Sequence, residues 1–228
     1  FKKLLGDGKQ FGIELNYEVQ QKPEGLAQSF LIAEEFINGE KSCLILGDNI
    51  FYGPGLGSEL NKNIDLVGSK ILGYEVVDAN RYGIAEINES NGQVKSIEEK
   101  PLNPKSNIAI PGLYFFDESV CSRARLVGKS DRGEYEITSV LQSYLEDDKL
   151  EISILRKGTA WMDCGTVESM NDASNYVRIL EDRLGIKICS PEEIAWRNKW
   201  ISEKQLEILW TSYGKNSYAT YLKKLTKK

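Results

Sequence analysis

Hydrophobic and polar positions follow two rhythms along this chain. Ile13, Leu15, Tyr17 and Val19 alternate with Glu14, Asn16 and Glu18, which predicts a half-buried strand. After a loop at Pro23–Gly25, the apolar residues Leu26, Phe30, Ala33 and Ile37 recur at helical spacing and share one face. Gly39 is a natural stop for that helix. The run Cys43–Leu46 is continuously apolar and ends at Gly47, as in a strand buried on both faces of a parallel sheet. Strand, helix, strand is therefore the local grammar.

The same reading extends to the end of the chain. Residues 54–69 form a Gly-containing loop with a short helix over Ser58–Asp65, and Ile71–Val77 is a strand. Gly83–Asn88 and Val94–Glu98 flank Asn91-Gly92, a strong hairpin signal. Ala109–Phe116 is a buried strand, and Gly112 inside it marks close approach of a ligand or another backbone. Ile137, Val140, Leu141, Tyr144 and Leu145 make Glu134–Leu145 an amphipathic helix, and Leu150–Leu155 is a strand. Ala160–Asp163 repeats the pattern of a short apolar run closed by a carboxylate. Thr166 caps the next helix, which carries Met170, Ala173, Val177, Leu180 and Leu184 and stops at Gly185. Ser190-Pro191-Glu192-Glu193 and Ser202–Gln205 are helix-start signals, and Tyr218, Tyr221, Leu222 and Leu225 form a last stripe. The expected organisation is an α/β domain over residues 1–185 with an inserted hairpin, and a helical segment over 186–228.

Composition narrows the function. The 228 residues are 41% hydrophobic and 28% charged, with a formal net charge of −5. Lys223–Lys228 is the one Lys-rich stretch, so a general nucleic-acid surface is not expected. No apolar run approaches the roughly 18 residues of a membrane span, and no signal peptide is visible. Cys43, Cys121, Cys164 and Cys189 are too dispersed for a zinc or redox motif and read as buried free thiols in a reducing cytoplasm. With no histidine in the chain, Ser-His-Asp and Cys-His catalysis are excluded, as is histidine-ligated zinc. The chain starts at Phe1, in what reads as the tail of a helix, so further residues are expected to precede it.

Chemistry must then rest on carboxylates, lysine, arginine, backbone amides or an oxygen-held metal. Asp48 and Asp163 each follow a short apolar strand, and two such oxygen ligands suit Mg²⁺. Spacing alone leaves two unrelated turn aspartates as an open alternative. Lys100, at a strand end, is a candidate point charge for phosphate, against a solvent-exposed lysine. Arg132 is a candidate for a phosphate or a neighbouring subunit, against a surface salt bridge. Gln20 offers an amide to a base edge, or caps a loop, and Trp161 stacks on a sugar or base, or belongs to the core.

An ordered set of short motifs goes further. It comprises Val19-Gln20-x-x-Pro23-x-Gly25-Leu26-Ala27-Gln28, Leu46-Gly47-Asp48-Asn49-Ile50-Phe51-Tyr52-Gly53, Arg81-Tyr82-Gly83 and Glu98-Glu99-Lys100-Pro101. It continues through Gly112-Leu113-Tyr114-Phe115, Arg132-Gly133-Glu134-x-Glu136-Ile137-Thr138 and Trp161-Met162-Asp163-x-Gly165-Thr166 to Cys189–Ala195. In order and spacing the set resembles the glucose-1-phosphate thymidylyltransferase family over essentially the whole chain, with Gly-Leu-Ala-Gln favouring thymidylyl over uridylyl relatives. The resemblance implies a doubly wound α/β fold with a mixed, mainly parallel sheet, an inserted hairpin and C-terminal helices. It further implies a cytoplasmic homotetramer that joins dTTP to glucose 1-phosphate and releases diphosphate. The dTDP-sugar product would feed rhamnose and surface polysaccharide synthesis. By the same resemblance Gln20 and Gly25 contact thymine, and Asp48 and Asp163 hold Mg²⁺. Tyr82, Gly83, Glu99, Ile110 and Gly112 line the sugar side, Lys100 and Arg132 steady the sugar phosphate, and Trp161 walls the site.

Two departures stand out. The family's Gly-rich loop, ending in Gly-Thr-Arg-Leu, has no counterpart in this sequence, so the expected fold is incomplete at its N-terminus. Cys164 stands where threonine is usual. The alternatives kept are a non-catalytic nucleotide-sugar-binding remnant and a related uridylyl- or cytidylyltransferase.

Overall fold

Two compact units divide the chain: Val19–Met170, and Phe1–Glu18 together with the residues from Asn171 onward. The structure is a computed structural model in which residues 1–226 are described. The Lys-rich end lies partly outside them, at Lys227 and Lys228. In chain order the helices are α1 (Lys2–Leu5), α2 (Gln28–Ile32), α3 (Glu34–Ile37), α4 (Leu56–Leu60), α5 (Val120–Leu126), α6 (Ile137–Glu146), α7 (Val167–Leu184), α8 (Pro191–Arg197), α9 (Glu203–Ser212) and α10 (Ser217–Leu225). The strands are β1 (Ser42–Ile45), β2 (Asn49–Tyr52), β3 (Ser69–Glu75), β4 (Gly83–Ile87), β5 (Val94–Glu99), β6 (Ile108–Ala109), β7 (Leu113–Phe116), β8 (Leu150–Ile154) and β9 (Ala160–Asp163).

The unit Val19–Met170 is built on a seven-stranded sheet, ordered β1-β7-β3-β6-β4-β5 with β8 also on β3. The mixed α/β architecture and the inserted hairpin β4–β5 are as expected. The neighbour pairings are less parallel than expected: β3–β8 is parallel, whereas β1–β7, β3–β7, β3–β6, β4–β6 and β4–β5 are antiparallel. Strands β1 and β3 do run the same way, but β7 lies between them and opposes both. The apolar run at Cys43 accordingly sits in β1, which pairs with β7 alone among the described strands and alternates between half-buried and exposed. It is not buried on both faces.

The strand expected over Ala109–Phe116 is broken, and the break positions the site. Ile71 faces Tyr114, while Tyr74 faces Ala109 on the same neighbouring stretch. Two extra residues are therefore looped out around Ile110–Gly112. On one side of this loop β7 pairs with β1, and on the other β6 pairs with β4, where Ile110 N donates to Gly83 O at 2.8 Å. The sheet thus divides around Ile110-Pro111-Gly112. Below it, Ile137, Val140, Leu141 and Tyr144 of α6 are buried against Phe30, Ile71, Tyr114 and Phe116, at the spacing of one helical face. The Tyr144 hydroxyl donates to Asp117 Oδ1 at 2.9 Å, so even this core phenol is satisfied.

Other differences have local causes. No strand forms over Ile13–Val19, because the alternating residues find no ladder partner. Leu15 N bonds Asp7 O at 2.9 Å, the Tyr17 hydroxyl bonds Gly6 O at 2.7 Å, and Val19 stays 66% exposed. The helix expected over Leu26–Ile37 is interrupted at Ala33 (φ −92°, ψ 9°). The helix expected at Ser58–Asp65 is α4 followed by a 3₁₀ turn at Asn61–Asn63. Of the thiols expected to be buried, Cys121 is buried, whereas Cys43 and Cys189 are exposed.

In the other unit, Phe11, Ala195, Ile201, Leu206 and Leu222 are buried together. The predicted caps are formed: Ser190 Oγ accepts from Glu193 N, and Ser202 and Gln205 make a reciprocal capping box. Asn216 caps α10 through its side chain, a start signal that the pattern of residues did not announce.

Candidate functional site

A cleft of about 290 Å³ opens where the sheet divides. Its walls come from the end of β1, the hairpin β4–β5, the looped-out Ile110–Gly112, the start of α6 and the end of β9. Among its lining residues are Asp48, Tyr82, Gly83, Glu99, Lys100, Ile110, Gly112, Trp161 and Asp163, so nine of the sequence candidates meet at one place. Gln20, Gly25 and Arg132 do not line it.

The two carboxylates are brought together by a short second sheet. β2 and β9 pair antiparallel with Asn49 opposite Asp163, and Cys164 N donates to Asp48 O at 2.8 Å. Gly165 N donates to Asp163 Oδ1 at 3.1 Å, and Asn49 Nδ2 donates to Asp48 Oδ1 at 2.8 Å. Among the described residues neither aspartate has an ion-pair partner. Burial first, and then the charges of Asp163 and Asp48, push the Cys164 thiol up. Two oxygen-donor groups left without a cation fit a hard divalent ion that completes its shell with water and phosphate. No described cluster of three or more acidic, Cys or His side chains offers an all-protein metal cage.

Asn49 is the hub that the sequence reading passed over. Its Oδ1 accepts from Gly112 N at 2.9 Å and from Trp161 Nε1 at 2.7 Å, while its Nδ2 holds Asp48. One amide therefore ties together β2, the looped-out strand and β9. Gly112 is required here by crowding, since a Cβ would lie 2.7 Å from Leu46 Cδ1 and 2.8 Å from Asn49 Cγ. The close approach expected at Gly112 is made by these two side chains. Trp161 in turn packs edge-on to Tyr74, with ring centres 5.5 Å apart, and tilted against Tyr82 at 5.0 Å. Burial raises the Tyr82 phenol, against Arg81 and with Asp163 adding to the rise.

The opposite wall carries a second pair of acids. Glu99 ends β5, and Lys100 follows in a left-handed conformation (φ 43°) with its N–H on Tyr82 O at 3.1 Å. Glu136, just before α6, is 7% exposed and accepts from Ser130 Oγ at 2.9 Å and Arg132 Nη1 at 3.3 Å. Arg132 Nη1 is also 3.7 Å from Glu99 Oε1, and Nη2 is 3.8 Å from Glu134 Oε2. Arg132 is thus caged by carboxylates behind the wall. Burial first, then the Glu136 charge, push the Glu99 carboxyl above its ordinary value. The opposing pull of the Thr138 hydrogen bond, Lys100 and Arg132 is weaker, since Arg132 is distant and 42% exposed. Glu136 was missed because one acid in Glu134-x-Glu136 reads like the other until burial separates them. Gln20 closes its own loop, donating to Gly25 O at 3.1 Å and to Gln28 Oε1 at 2.6 Å.

Comparison with known proteins gives the family. The model of the nucleotidyl transferase family matches residues 1–178. Glucose-1-phosphate thymidylyltransferase of Mycolicibacterium smegmatis is 48% identical over 225 residues, which cover 99% of this chain and 78% of that protein. The enzyme of the same description from Neisseria meningitidis is 45% identical over 229 residues, covering 100% of this chain and 79% of that protein. A Bacillus anthracis structure described as a glucose-1-phosphate thymidylyltransferase in complex with sucrose superimposes with a TM-score of 0.68 at 36% identity, over 78% of this chain and 70% of that one. A UDP-glucose pyrophosphorylase, at 23% identity and a TM-score of 0.61, shares the fold over 71% of this chain and 65% of that one.

Proposed function

We propose that this chain, which belongs to the nucleotidyl transferase family, joins dTTP to α-D-glucose 1-phosphate, forming dTDP-glucose and diphosphate. The observation that carries the reading is that Asp48 and Asp163, neither in an ion pair among the described residues, share one cleft with Lys100 and Glu99. The names of the relatives supply the substrate class.

In this reading an oxygen of glucose 1-phosphate attacks the α-phosphorus in line. The new phosphorus–oxygen bond forms as the bond to the diphosphate leaving group breaks. The nucleophile is already an anion, so no general base is needed, in keeping with a chain that has no histidine. Asp48 and Asp163 would hold Mg²⁺, which when bound supplies positive charge to the reacting phosphates. Asn49 fixes the Asp48 carboxylate against rotation. Lys100 sets a positive charge beside the sugar phosphate, and Glu99 accepts from sugar hydroxyls. Tyr82 and Trp161 form the apolar wall that orients the sugar, with Gly83, Ile110 and Gly112 leaving room for it. Arg132 acts from behind by holding Glu99 and Glu136, and Gln20 and Gly25 meet the base. Protein catalysis is then positioning and charge stabilisation.

The test is diphosphate release from dTTP and glucose 1-phosphate with Mg²⁺ present. Asp48→Asn and Asp163→Asn should each lower turnover by about 10²-fold or more. Undiminished rates in either variant would remove the metal role, and no diphosphate from the parent chain would remove the reading. The same reading carries a cytoplasmic homotetramer serving dTDP-sugar and polysaccharide synthesis. No described helix is long and apolar enough to cross a membrane, and the mass in solution tests the tetramer.

A further inference from the structure

The loop that carries Gln20 has polar wiring of its own. Tyr135 N donates to Glu24 O at 2.7 Å and Ala27 N to Tyr135 O at 3.0 Å, so the backbone of this turn is laced to the segment before α6. Gly25, at φ +113°, runs so close to that segment that a Cβ would lie 2.4 Å from Tyr135 O. Across the fixed turn run three side-chain bonds in series. Lys129 Nζ donates to Glu24 Oε1 at 2.7 Å, Gln28 Nε2 donates to Glu24 Oε2 at 3.3 Å, and Gln20 Nε2 donates to Gln28 Oε1 at 2.6 Å.

The charged end sets the direction of the series. Lys129 only donates, and its hydrogen bond holds the Glu24 carboxyl below its ordinary value, so Glu24 only accepts. Gln28 must therefore turn its NH₂ to Glu24 and its carbonyl to Gln20. Gln20 must then turn its own NH₂ inward, where the second N–H is taken by Gly25 O at 3.1 Å. Both donors of Gln20 are used, and its free atom is the carbonyl oxygen.

We propose that Lys129, Glu24 and Gln28 are positioning residues that lock Gln20 with its carbonyl outward, so that the site selects a base with an N–H donor on that edge. Thymine and uracil offer the imide N3–H there, whereas cytosine carries a lone pair at the same position. The inference rests on the reading that Gln20 meets the base. Without the anion at Glu24 the direction of Gln28 is no longer fixed, and Gln20 keeps its outward carbonyl only through the single bond to Gly25 O, so the lock is weakened.

The experiment compares dTTP with dCTP, by kcat/KM and by direct binding of each nucleotide, in Glu24→Gln, Gln28→Leu and Gln20→Leu. Glu24→Gln and Gln28→Leu should each lower the dTTP-to-dCTP preference by about tenfold. Their melting temperatures should stay within about 2 °C of the parent, since these bonds lie near the surface. A preference unchanged in Glu24→Gln and Gln28→Leu but lowered in Gln20→Leu overturns the positioning role and leaves the base contact standing. A preference unchanged in all three overturns the base contact as well.

Discussion

Replacing Asn49 by alanine should cost far more than its half-exposed position suggests. The amide oxygen is the acceptor for Gly112 N at 2.9 Å and for Trp161 Nε1 at 2.7 Å. Gly112 is buried, so its orphaned N–H loses about 1–3 kcal/mol. Trp161 is only partly buried, and water can take up its indole N–H, so its share is about 1 kcal/mol. Together Asn49→Ala should destabilise by about 2–4 kcal/mol, or about 5–15 °C in Tm for a chain of this size. Urea titrations followed by both fluorescence and circular dichroism measure it, and coincident curves are needed because the chain has two compact units. Asn49→Asp isolates the other half of the interaction. It keeps an oxygen for Gly112 and Trp161 but sets a second carboxylate oxygen where Nδ2 now meets Asp48 Oδ1 at 2.8 Å. Two such acids share one proton, so the folded pair has a raised pKa. Its penalty is therefore small at acidic pH and grows as pH rises through that pKa. A loss under about 0.5 kcal/mol in Asn49→Ala, within the ordinary surface range, would refute the hub. So would a penalty in Asn49→Asp that ignores pH.

Three further outcomes follow from the same geometry. Gly112→Ala should cost about 1–3 kcal/mol by overpacking against Leu46 and Asn49. Adding Leu46→Ala should recover part of that loss, read as a favourable coupling in a double-mutant cycle. Glu99 has a folded pKa above its unfolded one, so its proton-bound form stabilises the fold at low pH and that stability is lost as pH rises. The stability of Glu99→Gln relative to the parent should therefore increase as pH climbs from the ordinary glutamate range, in paired urea titrations, and a constant difference would be the contrary result. Gly25→Ala combines a positive φ with a backbone collision and should lose about 2 kcal/mol or more, visible as faster proteolysis of residues 20–28.

Much of this architecture is legible in the residues because each signal is local. Asn91-Gly92 marked the hairpin β4–β5, Ser202 and Gln205 marked the start of α9, and the spacing of Ile137, Val140, Leu141 and Tyr144 marked the buried face of α6. What failed depended on partners far along the chain. Ile13–Val19 carries a strand's alternation, yet a strand needs a neighbouring edge to bond to, and these residues pair with none of the described strands. Ala109–Phe116 reads as one strand, but two different strands, β1 and β4, compete for its outer edge, and the chain loops out between them.

The site shows the same divide. Asp48 and Asp163 are each a carboxylate at a strand end, and only the pairing of β2 with β9 turns what spacing left as two unrelated turn residues into neighbours. Asn49 sits next to Asp48 in sequence, yet its three bonds reach 1, 63 and 112 residues along the chain. Two of the three are invisible to any local rule. Arg132 makes the point from the other direction. Its motif suggested a phosphate ligand, and its surroundings are Glu99, Glu134 and Glu136. An arginine held at 3.3 Å by a buried carboxylate must give up part of that contact before it can serve an anion in the cleft. Its nearest partner is therefore Glu136, and on Glu99, 3.7 Å away, it only weakly opposes the rise of that carboxyl's pKa.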